Sequence, residues 1–240
     1  MTPEGFRERL GDVVGTLGAP LIERISRARH GRTFHPEGLT FEAHVEALRP
    51  GLAEDLGSRA LVRLSPALWR GLRERFEVLG MALRFRQSDA PFGPQPRPGD
   101  TDLLTATIRS PLTMVFAPFF TDASDIAGNS YWAVSPFEYD GERFEVRLAP
   151  MDKVKTEGTR TERLLDAVDA GRAQWLLETR RRFRLTWQPI ARIALTHEVH
   201  VDQEALRFDP FRGVLRPVGF VHAIRRAVYA ASQDGRPAHA

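Results

Sequence analysis

The chain has 240 residues, 42% of them hydrophobic and 27% charged, which suits a folded globular protein and excludes a wholly disordered one. The net charge is only +3, so the high isoelectric point reflects a basic set that is almost entirely arginine, and it argues against a nucleic-acid binder. There is no cysteine, which excludes disulfides, thiolate metal ligands and cysteine catalysis.

In chain order, the apolar spacing from Phe6 to Ile25 predicts a helical lead-in over 1–29, weakened by Gly11, Gly15, Gly18 and Pro20. Strand character is expected at 60–65, at 78–86 and at 102–108, with the proline- and glycine-rich stretch 88–100 as a loop. Alternation over 131–149, interrupted at Tyr139-Asp140-Gly141-Glu142, predicts a hairpin. Residues 151–160 read as a polar loop and 161–178 as a helix through Leu164, Leu165, Val168 and Trp175. Two strands broken at Pro189 are expected over 183–201, and Pro217 is placed to open a final helix over 217–236. The expected fold class is α+β and mainly β, an antiparallel β-barrel with flanking N- and C-terminal helices, in a single domain over 1–240. No apolar run is long enough to span a membrane and the start has no signal-peptide pattern, so the cytoplasm is the expected compartment.

Several chemical motifs fail on their spacing. Arg180, Arg181, Arg182 and Arg184 read as a solvated face more readily than as a phosphate site. His197 and His200 are three apart, which on a strand sends them to opposite faces, so they do not share a metal ion with each other, whatever the place of His222. No phosphate-cradling glycine loop, metalloprotease helix or nucleophile elbow is present.

Four segments place polar groups inside apolar stretches: Arg32-Thr-Phe34-His35-Pro-Glu-Gly38, Val62-Arg63-Leu64-Ser65, Asp102-Leu-Leu-Thr-Ala-Thr107, and Arg225-Arg-Ala-Val-Tyr229 with Arg236 beyond it. On a helix Arg225 and Tyr229 share a face, and a guanidinium beside a phenol favours the phenolate. Together with Leu79-Gly80-Met81-Ala82, Tyr131-Trp-Ala-Val-Ser135-Pro136-Phe137 and Leu206-x-Phe208-Asp209-Pro210, and in this order from about residue 27 to 236, they resemble the haem-dependent catalase superfamily, above all its small bacterial members.

The resemblance implies a catalase-like barrel holding haem b. His35 is then the distal acid–base group, with Ser65 orienting its imidazole and Thr107 beside it. Arg32, Arg63 and Arg236 hold the propionates, Tyr229 is the axial iron ligand and Arg225 holds its phenolate. A second register would put His30, preceded by Arg27, at the distal position; only His35 keeps the glycine three residues on. Thr107 stands where the family has an asparagine that helps to polarise peroxide, and Phe34 and Leu64 replace other usual pocket residues. The arginine expected before Gly80 is absent. These departures favour peroxidase-like cleavage of hydrogen peroxide or an organic hydroperoxide, with an organic electron donor, over fast catalase turnover. The small members also imply a homodimer. The competing expectation is a non-enzymatic relative of the same fold that binds haem or an anionic apolar ligand.

Overall fold

The computed structural model describes residues 38–67, 77–110, 116–133, 135–153, 157–181 and 184–218. The sequence readings that fall on 1–37 and on 219–240, which include both flanking helices, Arg27, His30, Arg32, His35, His222, Arg225, Tyr229 and Arg236, lie outside these residues.

Ten strands make one antiparallel sheet: β1 (Leu39–Ala47), β2 (Arg59–Pro66), β3 (Leu79–Arg86), β4 (Thr101–Ala106), β5 (Tyr131–Trp132), β6 (Phe137–Tyr139), β7 (Glu142–Pro150), β8 (Gln174–Arg181), β9 (Gln188–Glu198) and β10 (Arg216–Pro217). Pairing of β7 with β8 and of β9 with β1 closes eight of them, β1-β2-β3-β4-β5-β7-β8-β9, into a barrel, while β6 and β10 extend outward from β7. Closure removes the free edges that an open sheet would expose.

Alternation decides what fills the barrel. Phe41, Ala43 and Val45 of β1, Ala60, Val62 and Leu64 of β2, and Met81, Leu83 and Phe85 of β3 point inward and join one core with Val146, Leu148, Trp175 and Ile193. Tyr131 and Trp175 meet edge-on with centroids 6.4 Å apart. The Tyr131 hydroxyl donates to Ile126 O at 2.8 Å and the Trp175 indole to Asn129 O at 3.2 Å, so neither polar tip is stranded. Loop 121–130 therefore closes over the end of the barrel where β1 begins and β2 finishes, here termed the upper end. Helix α1 (Leu52–Leu56) plugs the lower end with Ala53 and Leu56.

The strands expected around 60–65, 78–86 and 102–108 are present as β2, β3 and β4, and 88–100 is a loop. The hairpin also forms: Asp140 and Gly141 both take positive φ, 50° and 73°, the conformation a tight two-residue turn needs to match strand twist. Three expectations change. The helix read over 161–178 is two elements, helix α3 (Arg160–Asp169) and strand β8. Thr159 starts the helix with a capping box to Glu162, and Gly171, at φ +64°, turns the chain out of it, so Trp175 becomes a barrel-core strand residue.

Of the two strands expected over 183–201 only the second is present: residues 184–187 are not strand, and β9 begins at Gln188, one residue before Pro189. Leu177 pairs with Ala191 and Glu178 with Pro189, so Ile190 is an extra residue on β9, and this bulge accommodates a proline with no N–H. Pro217 pairs with Phe137 as part of β10 and so does not begin a helix. Strand β1, helix α1 and a short helix α2 (Ala117–Phe120) have no counterpart in the sequence reading.

Candidate functional site

Three of the expected site residues fall on described positions, and all three lie toward the upper end. Arg63 and Ser65 are on β2, two apart and hence on the same face, which is the outside of the barrel. Gly38 immediately precedes β1, whose register pairs Leu39 with Leu64 and Thr40 with Arg63. A Cβ placed on Gly38 would lie 2.7 Å from Arg63 Cζ, 2.8 Å from its Nη2 and 2.8 Å from Leu64 O. Only glycine leaves room for the guanidinium here.

Arg63 is almost fully buried, at 4% exposure. Its Nε donates to Gln203 Oε1 at 2.8 Å, and Gln203 Nε2 donates in turn to Thr40 Oγ1 at 2.6 Å. Gln203 thus fixes the side chain from a strap formed by residues 199–214, which runs over β2–β4. It is a positioning residue that no local motif announces. Ser65 is buried beside it at 5% and pairs across to Gly80, which pairs with Ala106. The motif segments at Gly38, Arg63-Leu64-Ser65, Gly80 and Ala106-Thr107 are therefore neighbours at one end of the four adjacent strands β1–β4.

Thr107 follows β4, where its N–H donates to Leu79 O at 2.9 Å and its hydroxyl accepts from Leu79 N–H at 3.1 Å. Its Oγ1 is also 2.7 Å from Thr121 Oγ1, which lies 2.9 Å from Ala117 O. Thr121 has one hydroxyl proton, which it directs to Thr107 Oγ1 or to the Ala117 carbonyl, and the Thr107 hydroxyl accepts from Leu79 N–H. Beside it, helix α2 buries Ala117 against Ala67 and Val78 and presents Phe116, Phe119 and Phe120 at 58%, 67% and 84% exposure.

The Asp102 end of the fourth segment does different work. Arg84 grips Asp102 with both nitrogens, at 2.9 and 3.1 Å, and Arg212 Nη1 and Asp209 N–H add bonds to Oδ2 at 2.8 and 2.9 Å. The Arg84 guanidinium also donates to Arg207 O and lies 4.9 Å from the Phe208 ring. Two residues further along β3, Arg86 forks onto Asp100 at 2.8 and 2.6 Å and stacks on Phe92 at 4.5 Å. Burial pushes the Asp102 carboxyl above the ordinary range despite its two guanidinium neighbours. Burial also acts on Asp100, but the hydrogen bonds from Arg86 and Arg97 N–H and the charges of Arg86 and Arg84 outweigh it and hold that carboxyl low. These groups latch the strap and the 87–100 loop to the outside of the barrel.

Among the described residues no cluster of histidine and carboxylate side chains could hold a metal ion. His197 is on β9, next to the Thr196 hydroxyl, and His200 lies beyond the strand. In the arginine cluster, Arg180 pairs with Glu145 and Arg181 with Glu142 at the surface, as a solvated face would. No described helix is long and apolar enough to cross a membrane. No family model and no curated protein matches the chain.

Proposed function

We propose that the chain is a small catalase-like haem b protein that cleaves hydrogen peroxide or an organic hydroperoxide. The observation that carries this reading is the cradle at Gly38. The glycine that ends the Arg32–Gly38 segment lies on the guanidinium of the Val62–Ser65 segment, so two motifs quoted for the resemblance meet in space. A closed antiparallel barrel with these segments at one end, and a row of exposed phenylalanines beside them, supports the same reading.

Two features of the described residues support the reading. A buried arginine held by Gln203 suits a propionate, and the exposed face of α2 suits an apolar macrocycle. When bound, the haem supplies a ferric centre at which peroxide is reduced. In this reading Arg63, with Arg32 and Arg236, neutralises the propionates. His35 moves a proton from one peroxide oxygen to the other, and Ser65 fixes the tautomer of its imidazole. Tyr229 is the iron ligand, and Arg225 favours its phenolate.

At position 107 a threonine, whose short hydroxyl already accepts from Leu79 N–H and from Thr121, replaces the asparagine of the resemblance and its longer amide. That supports peroxidase-like chemistry with an organic donor over rapid disproportionation. Titration of the protein with haemin, followed in the Soret region, tests the reading. Stoichiometric uptake that Tyr229→Phe abolishes is the expected result, with His35→Ala retaining haem and losing peroxide turnover. A protein that takes up no haemin overturns it and leaves an apolar or anionic ligand as the occupant of this end.

A further inference from the structure

The lower end of the barrel, remote from Thr107, carries a second feature that the haem reading does not use. A cleft of about 580 Å³ opens between the β1–α1 connection, the β6–β7 hairpin and the β8–β9 connection. That volume lies within the range of small-molecule sites. Its floor includes Leu52, Phe144 and Ile190, all of which belong to the barrel core or rest on it. Its rim carries Arg49, Arg181 and Arg184.

The three arginines are not equivalent. Arg181 Nη2 pairs with Glu142 at 2.6 Å. Among the described residues, Arg49 and Arg184 have no carboxylate partner. The Tyr139 phenol, also on the cleft, is spent as a donor to Asp55 Oδ2 at 2.6 Å, a bond that pushes its own ionisation up to about 12. Tyr139 therefore offers a neutral ring. Three guanidiniums stand with the acids Asp140 and Glu142 on the lining and Asp55 behind Tyr139, so the attraction for an anion rests on the two guanidiniums without a carboxylate partner and not on a net charge.

We propose that this cleft binds an amphipathic carboxylate, its chain or ring on Leu52, Phe144 and Ile190 and its carboxylate held by Arg49 and Arg184. Guanidinium forks suit a carboxylate. The apolar floor accounts for the remaining affinity through area removed from water.

The test is calorimetric titration of the full chain, without haemin, with octanoate, octanol and inorganic phosphate. Octanoate is expected to bind at least tenfold more tightly than either of the others. In an Arg49→Gln/Arg184→Gln double variant its affinity falls to that of octanol, while the melting temperature stays that of the wild type because both side chains are exposed. A Phe119→Ser/Phe120→Ser variant at the opposite end keeps wild-type octanoate affinity. Absence of octanoate binding, equal binding of octanol or phosphate, retention in the arginine double variant, or loss in the phenylalanine variant would each overturn the proposal. None of these outcomes depends on haem uptake, so the two readings fail separately.

Discussion

Two walls of the same barrel use the same three parts, an arginine, a carboxylate and an aromatic ring, and obtain different things from them. On the outside of β3–β4, Arg84–Asp102 and Arg86–Asp100 lie under the strap and loop with side chains at most 2% exposed, each guanidinium covered by a phenylalanine. On the outside of β7–β8, Arg147–Glu178 and Arg180–Glu145 flank Trp187, whose ring lies 4.5 and 4.6 Å from the two guanidiniums. There the side chains remain between 11% and 49% exposed. Water competes for the second set and is excluded from the first. Counting ion pairs would rank the two walls as equals, whereas burial separates them: a broken pair on β3–β4 strands a charge, and a broken pair on β7–β8 merely rehydrates one.

The sharpest way to break the comparison is Asp102→Ala. It leaves Arg84 buried and unpaired and removes the anchor for Arg212 and Asp209 N–H, so a loss of about 3–5 kcal/mol is expected in urea unfolding. Hydrogen exchange at Asp209 should rise with it; a loss as small as that of a surface pair would mean that water reaches this wall. Gly38→Ala comes next, at about 1–3 kcal/mol, because a new methyl group must displace both a buried guanidinium and the Leu64 carbonyl. Its partner measurement is haemin uptake, which should weaken with it.

Asp100→Asn sharpens the contrast along the pH axis. The folded carboxyl titrates below its unfolded value of 3.8, so its stabilisation is fully present well above that value and is lost as pH falls through the lower folded value. The gap in stability between wild type and variant should therefore be widest near neutrality and close at strongly acidic pH. A gap independent of pH would show that the hydrogen bonds, and not the charge, matter. The smallest effect is expected for Glu145→Gln, about 0.2–1 kcal/mol by the same unfolding measurement, and shrinking further in added salt.

What could be read in advance was local. Strands β2, β3 and β4 and the Asp140-Gly141 hairpin declare themselves through apolar stretches and turn chemistry within a few residues. The helix over-read into 174–178 shows the limit: Leu164, Val168 and Trp175 fit one helical stripe, and only Gly171 marks where the period changes from 3.6 to 2. Pro189 misled for the opposite reason, since it enters at the start of β9 beside a bulge at Ile190 that makes room for it. Strand β1 alternates through Phe41, Ala43 and Val45, yet its identity comes from its two neighbours. Within the site, Arg63, Ser65 and Thr107 were nameable from their segments. Gln203 was not, because the contact with Arg63 spans 140 positions, and no short motif encodes a partner so distant.

The seam between β1 and β9 has a consequence for how the chain comes into being. Residues Phe41–Ala47 pair with partners between Ala191 and Glu198, so the first described strand waits for the last long one. At roughly 5–20 residues per second, the ribosome needs of order ten seconds to deliver β9 after β1 has emerged. Throughout that interval β1, paired on one side by β2, presents an open backbone edge to any other nascent chain. Its outward positions hold Glu42, His44 and Glu46, polar groups that discourage a second copy from docking edge to edge before the barrel shuts.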